Sequence, residues 1–213
     1  MLDLPASTLY DRRVPKQKFY DNLEVTPKLK RIFIEQIHHI SWRNKIAPAT
    51  VNVAAGHNVT EIEVFEITLN QRGLDKGVLQ PIDREIPSHI LFLLAYKGEV
   101  QAWIGYKEES QTKSGTFKPG TYYNTEWMPF DDLTLKLDGL TMDAVYEKFI
   151  IQIAGERLEG NGDISKAVAS DEQRQKLIRE IATLEKRIRT EKQFNVQVVL
   201  NGELKRLQEE LCK

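Results

Sequence analysis

Two apolar runs flank Lys97-Gly98 in IPSHILFLLAYKGEVQAWIGYKEE, and that arrangement commits the middle of the chain to an antiparallel hairpin. A two-residue connection with a glycine free to take positive φ closes a tight β-turn. The strands are predicted at about 89–96 and 99–106. In that register Ala95 faces Val100, Leu93 faces Ala102 and Leu91 faces Ile104 on one side, while Phe92 meets Trp103 on the other. The first strand is apolar on both faces, which places it inside a sheet rather than at its edge. The second carries Glu99, Gln101 and Lys107, so one of its faces is expected nearer water.

Around this hairpin the patterns alternate between helix and strand. Thr26-Pro27 is an N-cap followed by proline at the first helical position, and Leu29, Ile32, Phe33, Ile37 and Ile40 recur at helical spacing, predicting a helix over about 27–42. Thr50, Val51 and Val53, bounded by Pro48 and Gly56, suit a short strand. In TEIEVFEITL, 60–69, Ile62, Val64 and Phe65 to Ile67 are expected inward and Glu61, Glu63 and Glu66 toward solvent, as in a half-buried strand. GVLQPIDREIP reads as a short helix ending at Pro87, and the polar stretch 109–120 as a surface loop. TYYNTEWM supplies a third strand of this region, and a helix capped by Thr141 presents Met142, Val145, Phe149, Ile150 and Ile153 on its apolar side.

The expected organisation is an α+β domain over 1–155 with an N-terminal basic arm, a linker over 156–170 that contains Gly160, Asn161 and Gly162, and coiled-coil-like helices over 171–213. The fold class is α+β, a mixed sheet with a central β-hairpin packed by helices. In the tail, Leu177, Ile181, Leu184 and Ile188 form one stripe at 4-3-4 spacing, and Leu200, Leu204, Leu207 and Leu211 form another. On one straight helix the two stripes would lie roughly 140° apart. A break near 193–195, with Phe194-Asn195 as staple and cap, would fold them against each other as a helical hairpin; a continuous helix would show each stripe to a different partner.

Charge and cysteine content narrow the setting. With 30 basic and 31 acidic residues among 213, the net charge of -1 gives no global attraction to nucleic acid or anionic membrane. The single cysteine, Cys212, excludes an internal disulfide framework and any multi-cysteine metal site, which suits a reducing cytoplasm. MLDLPASTLYDRR lacks the apolar core of a secretory signal and no apolar run is long enough to span a bilayer, so a cytoplasmic protein without membrane contact is expected.

No catalytic signature stands out. His38 and His39 are neighbours without a partner at i+4, and His57 and His89 are isolated, so the spacing of helical zinc sites is missing. There is no G-x-S-x-G elbow, phosphate-binding P-loop or G-x-G-x-x-G, and no cofactor or metal is expected. The sharper chemistry lies in carboxylates: Glu61, Glu63 and Glu66 on one strand, Asp83 before the hairpin and Glu99 on it are the groups a metal-dependent nuclease would converge on Mg²⁺. Such a core expects an acid-x-lysine on the second hairpin strand, where the sequence reads Glu99-Val100-Gln101. Arg12, Arg13, Lys16 and Lys18 beside Phe19 and Tyr20, then Lys28, Lys30 and Arg31, form a basic arm suited to phosphate contact and base stacking.

VPKQKFY, IPSHILFLLAYKGEVQAWIGYKE, YYNTEWM and EKQFNVQVVLNGELKRLQEEL together resemble a bacterial and archaeal family of uncharacterised proteins, the domain of unknown function 4391. The resemblance transfers no catalytic residue. It implies a context, small companions encoded beside DNA helicases and DNA methyltransferases of restriction or phage-defence type. The expected function is therefore a non-catalytic accessory or adaptor protein whose partner is a helicase or methyltransferase, with the tail stripes as the partner-binding surface and the basic arm touching DNA. A divergent restriction-endonuclease-like nuclease using Glu61, Glu63, Asp83 and Glu99, and a self-associating protein that dimerises through its tail, are the alternatives.

Overall fold

A computed structural model describes residues 2–22, 26–109, 117–158 and 163–212. Among these the strands form one seven-stranded sheet in the order β1 (Leu9–Val14), β2 (Ile37–Ile46), β3 (Ile62–Leu69), β4 (His89–Tyr96), β5 (Glu99–Glu109), β6 (Phe117–Asn124), with β7 (Met128–Pro129) also pairing β5. The pairing is antiparallel except between β3 and β4, so the sheet is mixed as expected. The β4–β5 hairpin has the predicted register, with Ala95 opposite Val100, Leu93 opposite Ala102, Leu91 opposite Ile104 and Phe92 opposite Trp103. Lys97 and Gly98 both have positive φ, 46° and 85°, which defines a type I′ turn whose twist matches that of its strands.

Helices cover both faces. Against one, α1 (Lys16–Asn22), α2 (Pro27–Glu35) and α4 (Leu79–Glu85) contribute Phe19, Phe33 and Ile82 to a core shared with Phe65, Ile67, Phe92, Leu94 and Trp103. On the other, Val64, Leu91, Leu93, Val100 and Ile104 are buried, and α5 (Met142–Ala154) packs on β5 and β6 with Val145, Phe149 and Ile153 buried. Each fully buried side chain of this size contributes about 1.5–3 kcal/mol. Thr141 caps α5 as predicted, accepting the Ala144 N–H. Asp143 in its first turn accepts the N–H groups of Asn58 (3.0 Å) and Val59 (2.7 Å) and so ties α5 to the β2–β3 connection.

Several expectations are corrected. The helix predicted to about 42 ends at Glu35, and Ile37 to Ile46 form β2, because Ile37 and Ile40 satisfy either period and pairing with β1 and β3 decides between them. The helix end is closed by Lys16, whose ammonium donates to the carbonyls of Phe33 (2.8 Å) and Ile37. The strand expected at 50–53 is instead one helical turn, α3 (Pro48–Val51), started by proline and by Thr50 Oγ1 accepting the Ala47 N–H, and ended by Asn52 in the left-handed region. Covering both faces of β3 leaves no solvent side, so Glu63 is buried. Lys107, expected toward water, is also buried. Most of the loop expected over 109–120 lies outside the described residues, but 117–120 belong to β6.

The C-terminal unit, residues 157–213, is a helical hairpin. α6 (Ile164–Thr190) begins inside the segment expected to be linker, with Asp163 capping it through the Ser165 N–H, while Gly160, Asn161 and Gly162 lie outside the described residues. Asp171 is buried and bonded by Arg157 (2.6 Å), which fastens the start of the unit to α6. The chain turns at 191–193, where Glu191 Oε1 accepts the N–H groups of Lys192 and Gln193, and α7 (Phe194–Leu211) returns. Phe194 is 76% exposed, so it is no staple. Leu184 and Leu200 are buried and Leu177, Ile181, Ile188, Leu204, Leu207 and Leu211 half-buried. Among the described residues no helix is long and apolar enough to cross a membrane.

Candidate functional site

The site begins with an irregularity in β2. Trp42 pairs with Phe65, but the next partners are Asn44 with Val64 and Lys45 with Glu63, so Arg43 is an extra residue. A bulge of this kind bends a strand and re-aims its side chains. Here it returns Lys45 to the face that carries Trp42, where both stand beside Phe65 and Glu63. α1 and α4 leave a gap over this part of the sheet, a cleft of about 440 Å³. Its walls are Val14, Phe19, Trp42, Phe65, Ile82 and Ile86, and its polar groups are Glu61, Glu63, Glu85, Lys18 and Ser88.

Glu61 and Glu63 are neighbours on one face with opposite surroundings. Lys45 Nζ lies 2.6 Å from Glu61 Oε2 and Ser88 Oγ donates to Glu61 Oε1 at 2.8 Å. Burial pushes the Glu61 pKa up, but these hydrogen bonds outweigh it and hold the group below its ordinary value. The same bond to Glu61 raises the pKa of Lys45. Glu63, only 3% exposed, has the ammonium no nearer than 4.0 Å, and its Oε2 has no hydrogen-bond partner. Burial, then the charge on Glu61 and a hydrogen bond shared with it, push the Glu63 pKa up to about 8 against the opposing pull of Lys45 and Trp42. A buried acceptor left unpaired costs about 1–3 kcal/mol, so Glu63 is a defect in the fold unless something else satisfies it. At neutral pH the site holds one ionised and one protonated carboxyl, able to receive a cation or to exchange a proton.

The remaining nuclease candidates do not join them. Asp83 on α4 is enclosed with Lys107 of β5, their side chains 1% and 2% exposed, with Nζ 2.8 Å from Oδ1. Tyr122 donates to Asp83 Oδ2 (2.6 Å), and Lys107 also donates to the carbonyls of Asp83 (3.0 Å) and Ser88 (2.7 Å), closing the C-terminal end of α4. Burial raises the Asp83 pKa against the opposing pull of Lys107. His89, stacked edge-on to Tyr146, is pushed down to about 3 by burial and by Lys107. Glu99 pairs with Arg72 at the exposed hairpin end (3.1 Å), and Glu66 pairs with Arg43. Glu61 with Glu63, Asp83, Glu99 and Glu66 thus occupy four separate places, and among the described residues no three His, Cys, Asp or Glu side chains are grouped to hold a metal ion.

The basic arm is likewise divided. Lys16 is engaged by the end of α2, Lys28 by Asp75 (3.5 Å), Arg31 by Glu35 (2.7 Å), and Lys30 lies over the Tyr20 ring. Arg12 and Arg13 are exposed on edge strand β1, with Arg12 over Tyr10. Lys18 stands at the cleft. His38 and His39 are on β2 rather than a helix, their Nδ1 atoms 2.8 Å apart. The tail stripes meet within their own hairpin, and among the described residues the large apolar side chains left exposed there are Ile178, Phe194, Val198 and Val199. No spacing or motif in the sequence marks Trp42, Lys45, Ser88 or Lys107 as a site or core residue. Only the bulge and the crossover from β3 to β4 bring them to their places.

Fold and site together define an α+β domain with a carboxylate-lined cleft, accompanied by a helical hairpin. The chain belongs to the family described as Domain of unknown function (DUF4391), whose model matches residues 2–211. No curated protein and no solved structure matches it significantly.

Proposed function

We propose that this chain is a non-catalytic accessory protein that docks on a larger DNA-processing enzyme, a helicase or methyltransferase of restriction or phage-defence type. The observation that carries the reading is the surface of α7. A compact unit of its own spends its leucine stripes on its internal seam, yet leaves Phe194, Val198 and Val199 at 76%, 54% and 69% exposure. Large apolar residues grouped on a helix face are the usual form of a protein-binding surface. The dispersal of Glu61, Glu63, Asp83 and Glu99 weighs against the nuclease alternative, because two-metal hydrolysis needs its carboxylates around one point. The partner's identity rests on the family context, an associational argument.

The test is affinity purification from the native host with the intact protein and with Phe194→Ser/Val198→Ser/Val199→Ser. Recovery of a helicase or methyltransferase by the former and its loss from the latter is expected. Retention of that enzyme by both would remove α7 from the interface, and its absence from both would overturn the accessory reading. A dimer in light scattering that the triple variant abolishes would favour self-association. DNA or RNA cleavage in Mg²⁺ or Mn²⁺, abolished by Glu63→Ala, would instead make the chain an enzyme.

A further inference from the structure

We propose that the cleft over Glu63 is a binding site for an organic cation, an ammonium head carried on an apolar or aromatic body. The proposal is independent of what the helical hairpin binds. Glu63 lines the cleft, is 3% exposed and has one oxygen without a hydrogen-bond partner. Its neighbour Glu61 is already matched by Lys45 and Ser88, so the unmet acceptor belongs to Glu63 alone. A ligand that brings hydrogen-bond donors to that oxygen completes the site.

The walls say what carries those donors. Trp42 and Phe65, with ring centroids 6.0 Å apart, face Phe19 and Ile82 across about 440 Å³. Such a volume accommodates a small aryl or alkyl group, and the Trp42 indole, already met by Tyr10 (4.2 Å between rings) and by the Lys45 ammonium (5.9 Å from its centroid), serves as apolar wall while Glu63 supplies the attraction for a cation. Charge points the same way. Glu61, Glu63 and Glu85 meet the cleft from β3, its leading residue and α4, while Lys45 is bound to Glu61 and Lys18 comes from α1. An anionic ligand would face the carboxylates at the floor; an ammonium replaces the proton that Glu63 otherwise retains.

That exchange gives the binding a pH signature. Glu63 holds its proton up to about pH 8, so a cation that requires the carboxylate must release it. Affinity should rise as pH rises toward 8 and flatten above it, while the amine itself remains charged. Between pH 6.5 and 8.5 the ionised fraction of such a group grows roughly 20-fold, and affinity should follow.

The experiment is calorimetric or NMR titration of the full chain with phenethylamine, butylamine and hexylamine, and with 2-phenylethanol as the neutral counterpart. Amine binding at pH 8.5 that weakens on the order of 20-fold at pH 6.5, with the alcohol bound far more weakly, is expected. Glu63→Gln should lose at least tenfold in affinity while unfolding cooperatively at no lower temperature. The pH series on unaltered protein reads the same dependence without relying on the variant. Equal binding of amine and alcohol, an affinity flat over that pH range, unchanged binding by Glu63→Gln, or no amine binding at millimolar concentration would each overturn the proposal. A blocked tripeptide with central lysine bound more tightly than the free amines would assign the cation to a protein side chain; the reverse order would assign it to a small metabolite.

Discussion

Two buried acids, Asp83 and Glu63, lie on the same side of one sheet and differ in how completely they are answered. Asp83 Oδ1 lies 2.8 Å from the Lys107 ammonium, an ion contact without hydrogen-bond alignment, its Oδ2 accepts from a phenol at 2.6 Å, and Lys107 donates to carbonyls at the end of α4. Glu63 meets a lysine only at 4.0 Å, because Glu61 has taken that lysine, and one of its oxygens is buried without a hydrogen-bond partner in a side chain that lines the cleft. A closed network of this kind fixes the position of a helix. An incomplete one at a cleft is where chemistry or binding belongs.

The largest effect expected from disturbing that contrast is on the closed side. Lys107→Met should strand Asp83 and lower the unfolding free energy by about 3–5 kcal/mol in urea denaturation, whereas Asp83→Leu/Lys107→Met together should cost far less. If the single and double variants were equally destabilised, the two groups would not be acting as a pair.

On the open side the sign reverses. The folded-state pKa of Glu63 is raised from 4.5 to about 8, so its contribution to stability is fully present below pH 4.5 and is lost as pH rises through 8. Glu63→Gln should therefore stabilise the protein at pH 8.5, by roughly 2–4 kcal/mol, less than the ~5 kcal/mol of the full displacement because the group borders a cleft. The variant should also flatten the fall in stability between pH 5 and 8. Melting curves over that range read both, and a Glu63→Gln protein less stable than wild type at pH 8.5 would contradict the assignment of an unanswered acid.

Smaller effects mark the frame that holds the two acids. Gly98→Val places a β-branched residue at φ 85° in the I′ turn and should cost about 1–3 kcal/mol. Val198→Ser/Val199→Ser on the exposed face of α7 should move stability by no more than about 0.5 kcal/mol per site, as expected of surface positions, so any loss of partner binding would be read without unfolding.

The contrast between the acids was not legible in the sequence, though much around it was. The β4–β5 register followed from two apolar runs and a two-residue turn, all local, and so did the Thr141 cap; the tail hairpin was one of two readings, with its break expected at 193–195 and found at 191–193. Ile37 and Ile40 fit both helical and strand periods, and only pairing with β1 and β3 settles them. Glu63 reads as a solvent-facing acid because alternation assumes one wet face, and β3 has none. Lys107 is indistinguishable in sequence from any strand lysine, since its partner lies 24 residues back on α4. The placing of Lys45 beside Glu61 and Glu63 depends on one extra residue at Arg43, which no composition or period announces.

The tight turn at Lys97-Gly98 also bears on the order in which this molecule assembles. A hairpin with so short a connection can form within microseconds, while the parallel alignment of β3 with β4 must first close a much longer loop. The cleft draws on segments from Val14 to Ser88 and none of its lining comes from that early hairpin. Its lining thus belongs to the part of the sheet whose pairing must close the longer loop, and hydrogen exchange is expected to protect the hairpin more than the cleft walls.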